Sequence, residues 1–115
     1  KKKKIKEEEA AKKLENFRKL NKNFLYPSFD TIAGSGKNGA IVHYRAKKEN
    51  CRVISKKDIF LCDSGGQYKY GTTDVTRTIC FDNPSKIIKN IFNINFNIVH
   101  WFIYLYSKTT YTKRR

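Results

Sequence analysis

The chain has 115 residues and a mass of 13.5 kDa, the size of one small domain with a modest core. Its formal net charge of +15 resembles that of proteins that bind nucleic acid or membrane surfaces. The charge is concentrated at the ends, because residues 1–22 and 83–115 each carry +6 and residues 23–82 only +3. The middle therefore has the charge balance of an ordinary soluble domain, and neither nucleic acid nor a membrane is the expected partner. The chain begins with Lys and contains no Met, which favours a fragment of a longer protein.

Three widely spaced cysteines, Cys51, Cys62 and Cys80, form no CxxC pair, and nothing at the start of the chain is typical of a signal peptide. This pattern predicts reduced thiols in an intracellular, cytoplasmic protein. A zinc site that combines these thiols with His43 is an alternative, but the spacing is not that of a zinc ribbon or finger.

The first segment, KKKKIKEEEAAKKLENFRKLNK, predicts a surface helix. Leu14, Phe17 and Leu20 recur at a spacing of three and form one apolar stripe. Glu residues come early and Lys or Arg late, which is the order that the helix dipole favours. Residues 1–9 are interpreted as a basic N-terminal end, in which the run Lys1–Lys4 is solvated.

Short strands are predicted after Tyr26-Pro27, where glycines separate apolar runs. Ala40–Tyr44 and Ile59–Cys62 have strand character, and Thr73–Phe81 alternates residue by residue. In that last strand Asp74 lies on a polar face, and the opposite face is mostly apolar. The GSGK at 34–37 lacks the first Gly and the final Ser or Thr of a phosphate-binding loop, so we interpret it as a Gly-rich turn between strands.

The last segment, residues 86–115, differs in vocabulary from the rest of the chain. From Lys86 to Tyr106 it consists almost entirely of Ile, Asn, Lys, Phe, Tyr and Leu, which is what very A/T-rich codons produce. A membrane helix is the competing interpretation, but a span needs about 20 mainly apolar residues, and Lys89, several Asn residues and His100 interrupt this one. We expect an irregular or helical tail from read-through of intron-like sequence.

Two aspartates, Asp63 and Asp74, flank the turn SGGQYKYG between the last two predicted strands. If these strands are antiparallel neighbours, both carboxylates can face one side of the hairpin. Two close negative charges repel each other unless a cation neutralises them, and oxygen ligands suit a hard divalent ion. Thr72, Thr73 and Thr76 are expected to hydrogen-bond the carboxylates. The alternative is structural: Asp63 caps a turn and Asp74 is an exposed strand residue.

The segment IFLCDSGGQYKYGTTDVTRT (59–78) resembles the signature of aminopeptidase P, the Xaa-Pro aminopeptidases among the creatinase-like pita-bread metallopeptidases. SFDTIAGSGKNGAIVHYRA (28–46) resembles the stretch that precedes this signature, and ENFRK (15–19) stands where the family has its upstream helix. The resemblance covers about residues 10–85. It implies an α+β fold, a partial pita-bread domain with an N-terminal helix and antiparallel strands.

The resemblance also implies a function and site residues. The family uses two divalent ions, usually Mn²⁺, to activate a hydroxide that attacks the peptide bond before proline. By position Asp63 matches the terminal metal ligand and Asp74 the bridging one, whereas His43 matches the histidine that binds substrate or stabilises the reacting centre. The implied substrate is a peptide with proline in second position, and the family is often homodimeric.

The sequence departs from the family in two respects. Tyr70 stands where the family commonly has Asp, which affects the local turn rather than the metal ligands. The family completes its site with one His and two Glu further along, but every Glu here precedes Asp63, and His100 lacks the Gly-rich setting of the metal-binding histidine. The chain thus holds two of five ligands and is predicted to be inactive alone. The alternatives are a binding module of the same fold without metal, and a basic nucleic-acid-binding protein.

Overall fold

The computed structural model describes residues 4–112, with side chains described through Val99. The chain divides into two units between Asp82 and Asn83, and each is described by itself. Among the described residues, the first unit carries one α-helix, one short 3-10 helix and six short strands, and the second carries one long α-helix. All strand pairs in the two sheets are antiparallel, which confirms the predicted α+β class.

The predicted N-terminal helix is confirmed as α1, Glu7–Lys19. Its first turn holds three glutamates and its last turn Arg18 and Lys19, as the helix dipole favours. The predicted apolar stripe is not buried: Phe17 is 69% exposed and Leu20 81%. Phe17 instead lines an open apolar groove of about 560 Å³ together with Leu14 of α1 and with residues 54, 60 and 81.

The strands form two three-stranded sheets. One sheet has the order β2 (Ile32–Ser35), β3 (Ile59–Ser64), β6 (Val75–Cys80). The other has the order β1 (Phe24–Pro27), β4 (Gly66–Tyr68), β5 (Gly71–Thr72). The predicted antiparallel pairing of the last two strands is confirmed as β3 with β6, and the turn between them itself forms the β4–β5 pair.

The small core lies against β2 and β3. Ile32, Ala33, Tyr44 and Phe60 are its buried hydrophobic residues. The apolar face predicted for β6, at the edge of its sheet, is only partly covered. Ile79 is 41% exposed, whereas the ring of Phe81, which follows the strand, lies 6.0 Å from that of Phe60.

The strand predicted at Ala40–Tyr44 is wrong. The GSGK segment leads from β2 into a 3-10 helix, Gly36–Ala40, which is followed by a turn that places His43 at a φ of 54°. Local hydrogen bonds replace sheet pairing here, since the Tyr44 amide donates to the Ile41 carbonyl at 3.2 Å. A four- or five-residue apolar run does not by itself specify a strand.

The second unit is α2, Lys86–Thr112, so the helical form of the predicted tail is the observed one. Ser85 precedes the helix, and its Oγ accepts a bond from the Ile88 amide at 3.4 Å. Large apolar side chains along α2 are exposed, including Ile87 at 70%. Within residues 4–112 no helix is long and apolar enough to cross a membrane. The side chain of His100, like residues 1–3 and 113–115, lies outside the described residues.

Candidate metal centre

The pairing of β3 with β6 determines where the two aspartates lie. Asp63 is directly opposite Thr76, and Ser64 is opposite Val75. Asp74 immediately precedes β6 and is two residues before Thr76, so continuation of this register places it on the same face as Asp63. Such diagonal neighbours in an antiparallel pair have Cα atoms about 7–8 Å apart. The backbone thus brings the two carboxylates to one end of one face of the sheet.

The surroundings of Asp63 fit a cation. Its Oδ1 is buried and has no hydrogen-bond partner among the described residues. A buried oxygen without a partner is costly, and native proteins seldom leave one unsatisfied. Asp74, by contrast, is exposed. Two carboxylates, one buried and one open to solvent, form a set of oxygen donors that a hard divalent ion can bind.

The threonines near the turn do not bond as expected. The Thr72 hydroxyl donates to Gln67 Oε1 at 2.5 Å, and Thr73 Oγ1 accepts from the Gly66 amide at 3.0 Å. These two side chains therefore organise the β4–β5 loop. Thr76 is the threonine that the register places opposite Asp63.

The ends of β3 and β6 are held close together at Gly65. A Cβ at this position would lie 2.0 Å from the Thr73 carbonyl oxygen and 2.2 Å from Ser28 Oγ. Ser28 Oγ in turn donates to the Thr73 carbonyl at 2.9 Å. Only a residue without a side chain fits here, because the nearest atom is backbone that cannot move aside.

The pKa of the Cys62 thiol responds to two opposite charges, those of Asp63 and Arg18. Burial is the main cause that raises the pKa of its thiol, and the negative charge of Asp63 raises it further. A hydrogen bond with Ser64 and the positive charge of Arg18 act in the opposite direction. The carboxylate of Asp63 and the guanidinium of Arg18 are thus both near enough to act on one thiol.

His43 lies in an exposed turn that is followed by two anchored residues. Its φ of 54° is in the left-handed region, which a residue other than Gly adopts at some cost. Tyr44, the next residue, is 4% exposed and donates from its hydroxyl to Glu7 Oε2 at 2.8 Å. Arg45 pairs with Asp30 at 3.5 Å. The turn is therefore held on its C-terminal side, and the imidazole is presented to solvent.

Glu7 organises the segments around residues 35–52, a role that its sequence context does not predict. Its side chain is fully buried at the start of α1. It accepts bonds from the amides of Ser35 at 2.6 Å and Arg52 at 2.8 Å, from Asn38 Nδ2 at 3.0 Å, and from the Tyr44 hydroxyl. Its only sequence signal is a place in the first helical turn, which two neighbouring glutamates share. Glu7 thereby fixes the segment that carries His43.

The described residues contain no group of three or more His, Cys, Asp or Glu side chains that could hold a metal ion. His43 is thus not brought into a ligand cluster with the two aspartates. The profile of metallopeptidase family M24 matches residues 1–103. The chain belongs to this family.

Relatives within the M24 family are similar over most of this chain. The probable Xaa-Pro aminopeptidase P of Paracoccidioides brasiliensis strain Pb03 is 51% identical over 82 residues, which are 71% of this chain and 13% of that protein. The corresponding protein of Ajellomyces capsulatus strain NAm1 / WU24 is 44% identical over 90 residues, 78% of this chain and 15% of that protein. The chain thus spans about a seventh of the length of these curated relatives.

Solved M24 structures confirm the partial pita-bread fold. The X-prolyl aminopeptidase of Caenorhabditis elegans, described as a cytosolic enzyme with a di-nuclear active site, matches with a TM-score of 0.69 and 40% identity. That match covers 74% of this chain and 14% of the enzyme. Prolidase from Pyrococcus furiosus matches with a TM-score of 0.69 and 33% identity over 79% of this chain and 26% of the prolidase. The first unit is therefore a piece of an M24 domain.

Proposed function

We propose that the chain is part of the catalytic domain of a Xaa-Pro aminopeptidase that releases the first residue of peptides with proline in second position. The observation that carries the proposal is the pair Asp63 and Asp74, placed on one face of the β3–β6 pair, with Asp63 Oδ1 buried and unpartnered among the described residues. The names of the M24 relatives support the reaction type.

The two aspartates are assigned as ligands of the metal ions. By the resemblance to the aminopeptidase P signature, Asp63, which is half-buried on β3, would hold one ion as a terminal ligand. Asp74, which is exposed at the end of the same face, would be the bridging ligand. When bound, a pair of divalent ions, Mn²⁺ in this proposal, lowers the pKa of the attacking water and polarises the scissile carbonyl.

His43 is assigned to substrate binding. Its exposed turn is held through Tyr44 to buried Glu7, so the imidazole can donate to the peptide without a costly reorganisation of the loop. A hydrogen bond from His43 to the substrate carbonyl would strengthen as negative charge develops on that oxygen. The left-handed backbone at His43 is consistent with such a role, because strained residues cluster at functional sites.

The remaining ligands, one His and two Glu in the family pattern, are assigned to sequence beyond residue 85. No Glu follows Asp63 in this chain, so the 115 residues supply two of five ligands. Two carboxylates do not fix two ions, and the chain alone is expected to be inactive. The complete protein is proposed to be cytoplasmic and homodimeric.

The test is to sequence the source transcript across the codons for residues 85–115 and to assay the complete product. We expect a product with a Gly-flanked His and two Glu that cleaves a Xaa-Pro peptide with Mn²⁺, and activity abolished in Asp63→Asn and Asp74→Asn. Manganese-dependent cleavage by the 115-residue chain itself, lost in Asp74→Ala, would contradict the assignment of the missing ligands. A complete product with all five ligands and no Xaa-Pro cleavage would contradict the function.

A further inference from the structure

Arg18 connects α1 to the place where β3 ends and β6 begins. Its Nη2 donates to Ser64 Oγ at 2.9 Å and lies 3.4 Å from the Ser64 carbonyl oxygen. Its Nη1 lies 3.3 Å from the Tyr68 hydroxyl and 3.4 Å from Thr73 Oγ1. One guanidinium therefore contacts three separate points of the β3–β6 connection.

Two of these points adjoin the proposed metal ligands. Ser64 directly follows Asp63 and is 3% exposed, and Thr73 directly precedes Asp74. Thr73 is also bonded to Gly66 through its own amide, which donates to the Gly66 carbonyl at 2.9 Å. A displacement of Arg18 would therefore shift the backbone beside both carboxylates.

The chemistry of arginine suits this position better than that of lysine. A guanidinium is planar and offers several donors in a fixed fork, so it sets the distance between the groups that it bonds. An ammonium at the end of a flexible chain sets no such distance. Residues that orient the metal ligands without binding the metal commonly matter for affinity, and their removal weakens metal binding by about 10–100-fold.

We propose that Arg18 is a positioning residue for the metal centre: it holds the ends of β3 and β6 so that Asp63 and Asp74 share one face before the metal binds. This inference rests on the proposed metal-binding function of the two aspartates. Arg18 itself contacts Ser64, Tyr68 and Thr73, and its effect on the metal is transmitted through the backbone of residues 64 and 73.

The experiment is a Mn²⁺ titration of the 115-residue chain, followed by the loss of the free Mn²⁺ electron paramagnetic resonance signal. Arg18→Lys keeps the charge and loses the fork, and Arg18→Gln loses both. Lys19→Gln is the matched control, because it removes a charge from the same helical turn but faces Glu15 instead of the strands. We expect roughly tenfold weaker binding in both Arg18 variants and less than a twofold change in the control.

Amide hydrogen exchange separates positioning from general stability. We expect the Thr73 amide to lose protection in Arg18→Lys, while the Ser35 and Arg52 amides that donate to Glu7 keep theirs. Equal loss at all three amides, or failure of both Arg18 variants to fold, would overturn the inference, because Arg18 would then serve stability in general. Unchanged Mn²⁺ affinity in both Arg18 variants would also overturn the positioning role. If Asp63→Asn and Asp74→Asn still abolished binding in that case, the metal site itself would be supported. Absence of Mn²⁺ binding at the aspartates of the unaltered chain would overturn this inference, because the two carboxylates would then bind no ion without the remaining ligands, whereas the proposed function is tested separately on the complete product.

Discussion

Substitution of Glu7 by Ala is expected to remove the hydrogen bonds that hold the segment between residues 35 and 52 to α1, and so to destabilise the fold. The carboxylate of Glu7 is fully buried and accepts hydrogen bonds from four donors. Two of these donors keep other partners after the change, since Asn38 Nδ2 and the Tyr44 hydroxyl are 2.8 Å apart and both lie near the Asn50 carbonyl. The amides of Ser35 and Arg52 would lose the bond to the carboxylate.

The magnitude follows from those two amides. A buried donor left without a partner costs about 1–3 kcal/mol. The bond from the Ser35 amide is buried and that from the Arg52 amide is part-buried, so the two losses together correspond to up to roughly 6 kcal/mol. This is a large fraction of the 5–15 kcal/mol that typically separates a folded domain from its unfolded state. Glu8→Ala is the matched control in the same helical turn, because Glu8 forms an exposed pair with Lys12 at 2.6 Å. Loss of such an exposed pair changes stability little.

The assay combines urea unfolding, followed by circular dichroism, with amide exchange. We expect Glu7→Ala to lower the free energy of unfolding by at least 2 kcal/mol relative to Glu8→Ala, on the order given by the two lost bonds. We also expect selective loss of protection at the Ser35 and Arg52 amides. Equal stability of the two variants, with both amides still protected, would refute the role assigned to Glu7.

Three further predictions concern the same unit. Burial and the hydrogen bond to Glu7 raise the pKa of Tyr44 from 10.0 to about 12, so its contribution to stability is complete below pH 10 and is lost as the pH rises through 12. Between these pH values the free energy of unfolding should therefore fall more steeply with pH in the unaltered chain than in Tyr44→Phe, and an equal slope in the two proteins would contradict this. Gly65→Ala should destabilise the chain by several kcal/mol, because the new Cβ meets the Thr73 carbonyl, whereas Gly71→Ala, with nothing within 4 Å, should melt near the unaltered chain. The raised pKa of Cys62 lowers its thiolate fraction at pH 8, so iodoacetamide should modify this thiol more slowly in the folded chain than in urea. Mass spectrometry of the peptides measures the two rates, and equal rates would count against burial of this thiol.

The elements with strong local signals were predictable from the sequence. The charge order and apolar spacing of residues 7–19 specify α1, and the alternation of residues 73–81 specifies β6. The common face of Asp63 and Asp74 follows from the antiparallel pairing, because side chains two residues apart point the same way. These features depend on neighbours along the chain or on one strand pair.

The features that depend on distant contacts were not predictable. The run Ala40–Tyr44 has strand composition, but Tyr44 bonds to a carboxylate 37 residues away, and the segment turns instead of pairing. Arg18 contacts Ser64 and Thr73, which follow it by 46 and 55 positions, and such contacts leave no periodic pattern in the sequence either. The proposed boundary near Ser85 stays a prediction, and the M24 profile extends past it to residue 103.

The most direct test of the central claim is paramagnetic broadening of the amide NMR signals of the chain by substoichiometric Mn²⁺. We predict that the amide signals of residues near Asp63, Asp74 and Thr76 broaden first, and that this selectivity disappears in Asp63→Asn and in Asp74→Asn. Asp30 and Asp58 provide the internal control, since each is paired with an arginine and neither is assigned to the metal. Broadening that begins at Asp30 or Asp58, or that is unchanged in the Asp63 and Asp74 variants, would contradict the claim that the ends of β3 and β6 form a metal centre.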